Sequence, residues 1–129
     1  MSDAATDWIG PYWKNLPHPG TTNVRAARVW VLNPGLVPTK VSVRFFDANG
    51  GALIKTDSAT VDPRLCRDFG AGAESGEGWC HITSDHPVMP WGFTAYETGV
   101  DIGYVNMSFY RADVAIPKFD PASFQPQHK

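Results

Sequence analysis

Residues 39–47, TKVSVRFFD, alternate strictly: Val41, Val43 and Phe45 are apolar, and Lys40, Ser42 and Arg44 are polar. A period of two belongs to a strand with one face on a core and the other towards solvent or a partner. An earlier run, residues 24–32, sets Val29 and Val31 on one parity and Arg28, Trp30 and Leu32 on the other, so both of its faces carry bulk. Asn33, Pro34, Gly35 and a short stretch are all that separates residues 27–32 from 39–47, and the two runs are expected to pair antiparallel.

Asp47-Ala48-Asn49-Gly50-Gly51 supplies the left-handed positions of a hairpin loop leading into a strand over 52–56. Val61-Asp62-Pro63 marks a break, and Leu65, Arg67 and Phe69 form a fourth short run before the glycine-rich segment 70–78, read as a loop. Residues 79–84 resume a strand. Asp85-His86-Pro87 is expected to end it, with the Asp85 side chain capping the turn. Residues 88–96 follow, with Trp91, Phe93 and Ala95 on one parity. The closing strand spans 103–111, with Val105, Met107 and Phe109 inward and Tyr104, Asn106, Ser108 and Tyr110 outward.

The first 23 residues place Trp8, Tyr12 and Trp13 among Gly10, Pro11, Pro17, Pro19 and Gly20, which forbids a long helix. Aromatics of that size seldom stay wet, so an ordered strap across the sandwich is expected, starting with a short strand near Trp8. Six to eight short strands joined by turn signals predict an all-β, single-domain antiparallel β-sandwich or flattened barrel over residues 1–129, with an extended tail from residue 112.

Length and charge narrow the picture. The 129 residues suit one core, large enough to fold without metal or disulfide staples. With 11 basic and 13 acidic residues the net charge is −2, which disfavours a nucleic-acid partner. Residues 1–6 lack the basic and apolar regions of a secretory signal, so a cytoplasmic protein is expected. Apolar runs fall short of the ~18 residues that would cross a bilayer, and membrane insertion is not expected. Cys66 and Cys80 are then expected as two buried free thiols.

The succession Arg28-Val-Trp-Val-Leu-Asn-Pro-Gly35, Val41-Ser-Val-Arg-Phe-Phe-Asp47, Thr60-Val-Asp-Pro63 and Ile82-Thr-Ser-Asp-His-Pro-Val88 resembles, in order and spacing, the soluble transducers of microbial sensory rhodopsins. The likeness covers about residues 27–110. It implies a small cytoplasmic β-sandwich that forms a homo-oligomer, a tetramer in the best-known member, and relays a signal by binding a membrane receptor. DNA and small ligands have also been proposed as partners of the family. This chain departs from the family at Ala26-Ala27, where members carry a His-Glu pair, so no contact is carried over at that place.

Candidate chemistry gathers in three places. If 24–32 and 39–47 pair, their outward face collects Arg28, Trp30, Lys40, Arg44 and Phe46, rings beside cations of the kind that a subunit or partner interface buries. Cys80, His81, Asp85 and His86 are metal-ligand types within seven residues, but Cys80 and His81 point to opposite faces and no paired Cys-x-x-Cys or His-x-x-x-His supplies a second arm, so no metal and no cofactor is expected; a metal-dependent enzyme built on Cys80, His81 and His86, with distant Cys66 completing the set, is the least favoured alternative. Ser84, Asp85 and His86 have the residue types of a hydrolase triad, yet three neighbours in sequence cannot converge as one. Trp79, Trp91, Tyr96 and Tyr104 offer an alternative stacking site for a sugar or small apolar ligand. The resulting expectation is a non-catalytic homo-oligomeric binding or adaptor protein, possessing no enzyme activity, whose partner is itself, a membrane receptor or another protein.

Overall fold

The computed structural model describes residues 4–17, 24–72, 76–97, 102–107 and 109–112, with side chains for 4–10, 28–72, 76–92 and 109–112. Among the described residues eight strands follow in order: β1 (Ala5–Pro17), β2 (Val24–Leu32), β3 (Thr39–Asp47), β4 (Leu53–Val61), β5 (Cys66–Phe69), β6 (Gly76–Glu97), β7 (Ile102–Met107) and β8 (Tyr110–Arg111). The pairings among these strands are antiparallel. The fold is all-β, as the alternation predicts.

The longest strand, β6, is shared between two sheets. Its first part pairs with β3 and β1, to which β4 and β8 are added. Its second part pairs with β2 and β7, and β5 adds to β2. Near one corner the end of β1 also pairs with the start of β2, Leu16 opposite Arg25. β4 and β5 stand at the ends of the strand order, so the sandwich is not closed into a barrel.

Side chains of both sheets meet in one core: Val29, Val31 and Phe69 from one, and Trp8, Val41, Val43, Phe45, Cys80 and Ile82 from the other. The expected inward parities of β2 and β3 therefore hold. At the other extreme of β3, a Cβ on Gly78 would lie 1.6 Å from the Phe46 carbonyl oxygen; glycine is what lets β6 pass the end of β3 so closely. The hairpin after Asp47 also forms, with Gly50 and Gly51 at φ of 99° and 71° and the Asp47 N–H donating to the Ala52 carbonyl at 2.8 Å.

Several expectations are corrected. β2 and β3 do not pair: β2 bonds to β1, β5 and β6, and β3 to β4 and β6. The short connection between them crosses from one sheet to the other, so the chain turns a corner where a hairpin would have folded back. Within the expected strap, Ala5–Pro17 do not lie across the sandwich: β1 is a strand of the first sheet between β6 and β8, and residues 1–3 and 18–23 lie outside the described residues. Trp8 anchors it, its indole Nε1–H donating to the Ala5 and Val88 carbonyls at 3.0 and 3.1 Å.

Asp85-His86-Pro87 does not end a strand, because it falls where β6 changes partners. Pairing with β3 stops at Ser84, opposite Val41, and pairing with β2 starts at Met89, opposite Leu32. Pro87 has no N–H to give to a ladder, and at that crossover none is required. The expected Asp85 cap is replaced by Thr39, whose Oγ1 accepts from the His86 N–H at 3.0 Å. The closing strand divides for a related reason: β7 pairs with β6 in the second sheet, and β8 with β1 in the first. The tail after residue 112 and residues 73–75 of the glycine-rich loop lie outside the described residues, while 76–78 belong to β6.

Candidate functional site

Since β2 and β3 lie in different sheets, the five residues expected to share one patch are separated. Arg28 and Trp30 are on the outer face of the second sheet; Lys40, Arg44 and Phe46 are on that of the first.

On the second sheet, Trp30 lies opposite Asp68 of β5 on one side and opposite Trp91 of β6 on the other. The two indoles stack with centroids 5.9 Å apart and an interplanar angle of 14°. Trp91 is 49% exposed, whereas the Trp30 Nε1 is buried and has no hydrogen-bond partner among the described residues. Arg28 does not stand free as a cation: its Nε donates to Asp68 Oδ2 at 3.0 Å, and its Nη2 reaches the same oxygen. The next row along the face holds Cys66, Leu32 and Met89. The centre of this face is therefore aromatic and aliphatic, with the guanidinium neutralised beside it.

An apolar tip, absent from the sequence reading, continues that row. Asn33, fully buried, donates from Nδ2 to the Val37 and Val61 carbonyls at 2.8 and 2.9 Å, and its Oδ1 accepts from the Gly35 N–H at 3.0 Å. Its backbone joins the second loop, accepting from the Arg64 N–H and donating to the Leu65 carbonyl. Arg64 takes φ 65°, a left-handed conformation that a β-carbon disfavours by about 1 kcal/mol. The framework holds Leu36, Val37 and Leu65 outward at 81%, 48% and 56% exposure. Leu36-Val37-Pro38 beside a turn was the available signal, but apolar residues in a loop do not reveal whether they face in or out.

On the first sheet, Phe46 is buried against Trp79, with centroids 4.2 Å apart. It is therefore not an open contact residue, and Trp79 is no free platform. Lys40 borders a shallow hollow of about 240 Å³ with Ser42, Thr83, Ser84 and Asp85. Arg44 faces His81 across the β3–β6 ladder, and its Nη2 lies 3.0 Å from His81 Nδ1. The other ring nitrogen, Nε2, is 2.5 Å from Asp7 Oδ1 on β1. A guanidinium can only donate, so Nδ1 accepts and the neutral ring carries its proton on Nε2, donating to Asp7. Burial lowers the His81 pKa below 6.5, with Asp7 opposing and Arg44 adding to the shift. Asp7 was missed because nothing local links it to a histidine 74 residues away.

Cys80 and His81 do point to opposite faces. The Cys80 thiol is in the core, where desolvation pushes its pKa up to about 12 against a smaller opposing effect of the hydrogen bond with the Gly10 backbone. His86 is exposed. Among the described residues, no three His, Cys, Asp or Glu side chains come together as a metal site. Ser84 Oγ donates to the His86 carbonyl at 2.7 Å and is thus engaged with backbone. Cys66 and Cys80 are both free, but only Cys80 is buried as expected: Cys66 lies on β5, at the end of the strand order, and is exposed. The side chains of Tyr96 and Tyr104 lie outside the described residues; their backbones sit in β6 and β7.

No family model matches the chain, and no curated protein does. Among solved structures, the crystal structure of Thermotoga maritima 1070 is similar, with a TM-score of 0.66 at 13% identity, covering 85% of this chain and 97% of that one. At this identity the likeness establishes a shared all-β fold. Among the described residues, no helix is long and apolar enough to cross a membrane.

Proposed function

We propose that this protein is a non-catalytic binding or adaptor protein that assembles with copies of itself through the outer face of its second sheet. The observation that carries the reading is the Trp30–Trp91 stack, with Trp91 half exposed in the middle of a sheet face. Large aromatics at the centre of an apolar patch, with charge neutralised at its side, are what interface cores use. Cys66, Leu32 and Met89 extend the same face towards Leu36 and Leu65. In this reading Arg28 and Trp30 remain contact residues, and Lys40, Arg44 and Phe46 belong to the opposite surface. The resemblance of residues 27–110 to rhodopsin transducers supports a cytoplasmic signalling role for the assembly, with a membrane receptor as its partner.

Light scattering at micromolar concentration tests the contact. The wild-type chain is expected to exceed the mass of one copy, and Trp91→Asp to reduce it to one copy with an unchanged far-UV spectrum, because an unpaired charge in a dry contact costs several kcal/mol. Trp30→Asp should act in the same direction. A wild-type chain of single-copy mass over the whole concentration range refutes the self-contact.

The same exposed indole favours a second reading, a carbohydrate or small apolar ligand stacked on Trp91. Tryptophan quenching by a sugar panel, abolished in Trp91→Ala and retained in Trp79→Ala, would select it.

A further inference from the structure

We infer that the apolar tip built on Asn33 is an anchor for a membrane surface: Leu36, Val37 and Leu65 enter the headgroup region of an anionic bilayer without spanning it, and Arg64 meets the lipid phosphates. The tip lies outside the strands, in the connections from β2 to β3 and from β4 to β5. Its aliphatic side chains face water although the backbone beneath them is tied down. From a fully buried position Asn33 bonds to both connections, and this framework holds Leu36 out at 81% exposure. Exposed apolar groups on a fixed support mark a contact surface more strongly than scattered ones do.

Arg64 points the same way. The Leu65 N–H donates to the Asp62 carbonyl at 3.2 Å, so residues 62–65 form a β-turn with Pro63 second and Arg64 third. At the third position a φ of 65° suits glycine, and a side chain there adds strain. Strain of this kind persists where the side chain serves a contact. The arginine reaches across to the other connection, its Nε donating to the Gly35 carbonyl at 3.4 Å, which sets the guanidinium beside Leu36.

Area and charge favour a bilayer over a protein as the occupant. The three side chains expose no more than a few hundred Å², short of the roughly 800 Å² that each partner gives to a stable protein contact. Lipid closes around a small protrusion and needs no complementary hollow. Within residues 33–38 and 62–67 the charged groups are Arg64, Arg67 and Asp62, all exposed, which leaves the positive sign in excess at the apex of a chain whose net charge is −2. Cations bordering an apolar apex match anionic headgroups.

Co-sedimentation of the full chain with vesicles tests the anchor. Binding is expected to vesicles of equal parts phosphatidylcholine and phosphatidylglycerol, weakening as salt is raised, and is expected to be lower on phosphatidylcholine alone. Leu36→Asp should keep the wild-type urea midpoint, since the side chain is 81% exposed, and bind the mixed vesicles about tenfold more weakly or worse. Arg64→Gly separates anchoring from folding: its urea midpoint should hold or rise, because glycine accepts a φ of 65°, while binding falls about fivefold. A chain that stays in the supernatant with mixed vesicles, equal binding to the two vesicle types, or Leu36→Asp or Arg64→Gly binding like wild type would each overturn the proposal. A lower solution mass of Leu36→Asp in the absence of vesicles would assign the tip to a second copy and overturn it as well.

Discussion

Trp30 of β2 and Trp91 of β6 lie directly opposite one another on the outer face of the second sheet and stack at 5.9 Å and 14°. Sixty-one positions separate them (91 − 30), so only the β2–β6 ladder makes them neighbours. Aromatic cross-strand pairs of this kind contribute about 0.5–1.5 kcal/mol beyond the area they bury. A double-mutant cycle of Trp30→Ala and Trp91→Ala, read by urea denaturation, should return a coupling in that range. Trp91→Ala alone should cost less than Trp30→Ala, since Trp91 is the more exposed ring.

Asn33 links two loops through a side chain whose donors and acceptor are all engaged. Asn33→Leu leaves the Val61 carbonyl and the Gly35 N–H without those bonds, and each such loss costs about 1–3 kcal/mol. We expect destabilisation of about 3 kcal/mol or more in urea denaturation. Asn33→Asp should be at least as damaging, because a carboxylate oxygen would replace the donor facing two carbonyls.

The two thiols should differ sharply in reactivity. Cys66 is exposed, while Cys80 is buried with its pKa pushed up to about 12. The thiolate is the nucleophile. At pH 8 a thiol reagent should modify one cysteine per folded chain of the single-copy Trp91→Asp variant, at Cys66, and the second only after denaturation. Cys66→Ser should remove the fast phase completely.

His81 predicts an acid-side loss of stability. Its pKa is lowered in the folded state relative to 6.5, so the unfolded chain binds the proton more readily. The stabilisation is complete above about pH 6.5 and declines as pH falls from there towards the folded value. Urea midpoints of the wild type should therefore fall more steeply below pH 6.5 than those of His81→Gln, and the two curves should run parallel above it.

The alternation in residues 24–32 and 39–47 was enough to place Val29, Val31, Val41, Val43 and Phe45 inward, because side-chain direction along a strand is a local property of the backbone. Gly50 and Gly51 likewise announced their hairpin, since few other residues adopt φ near 99° and 71°. Local rules do not choose which strand lies alongside which. The choice between a hairpin and a sheet crossing after Leu32 depended on β6, a strand that begins forty-four residues later (76 − 32) and offers one length to β3 and another to β2. That choice separated Arg28 and Trp30 from Arg44, joined Trp30 to Trp91, and brought Asp7 to His81. The outer surfaces of this protein thus follow from partnerships made across the chain, where burial and register over long separations outweigh any preference a short segment carries.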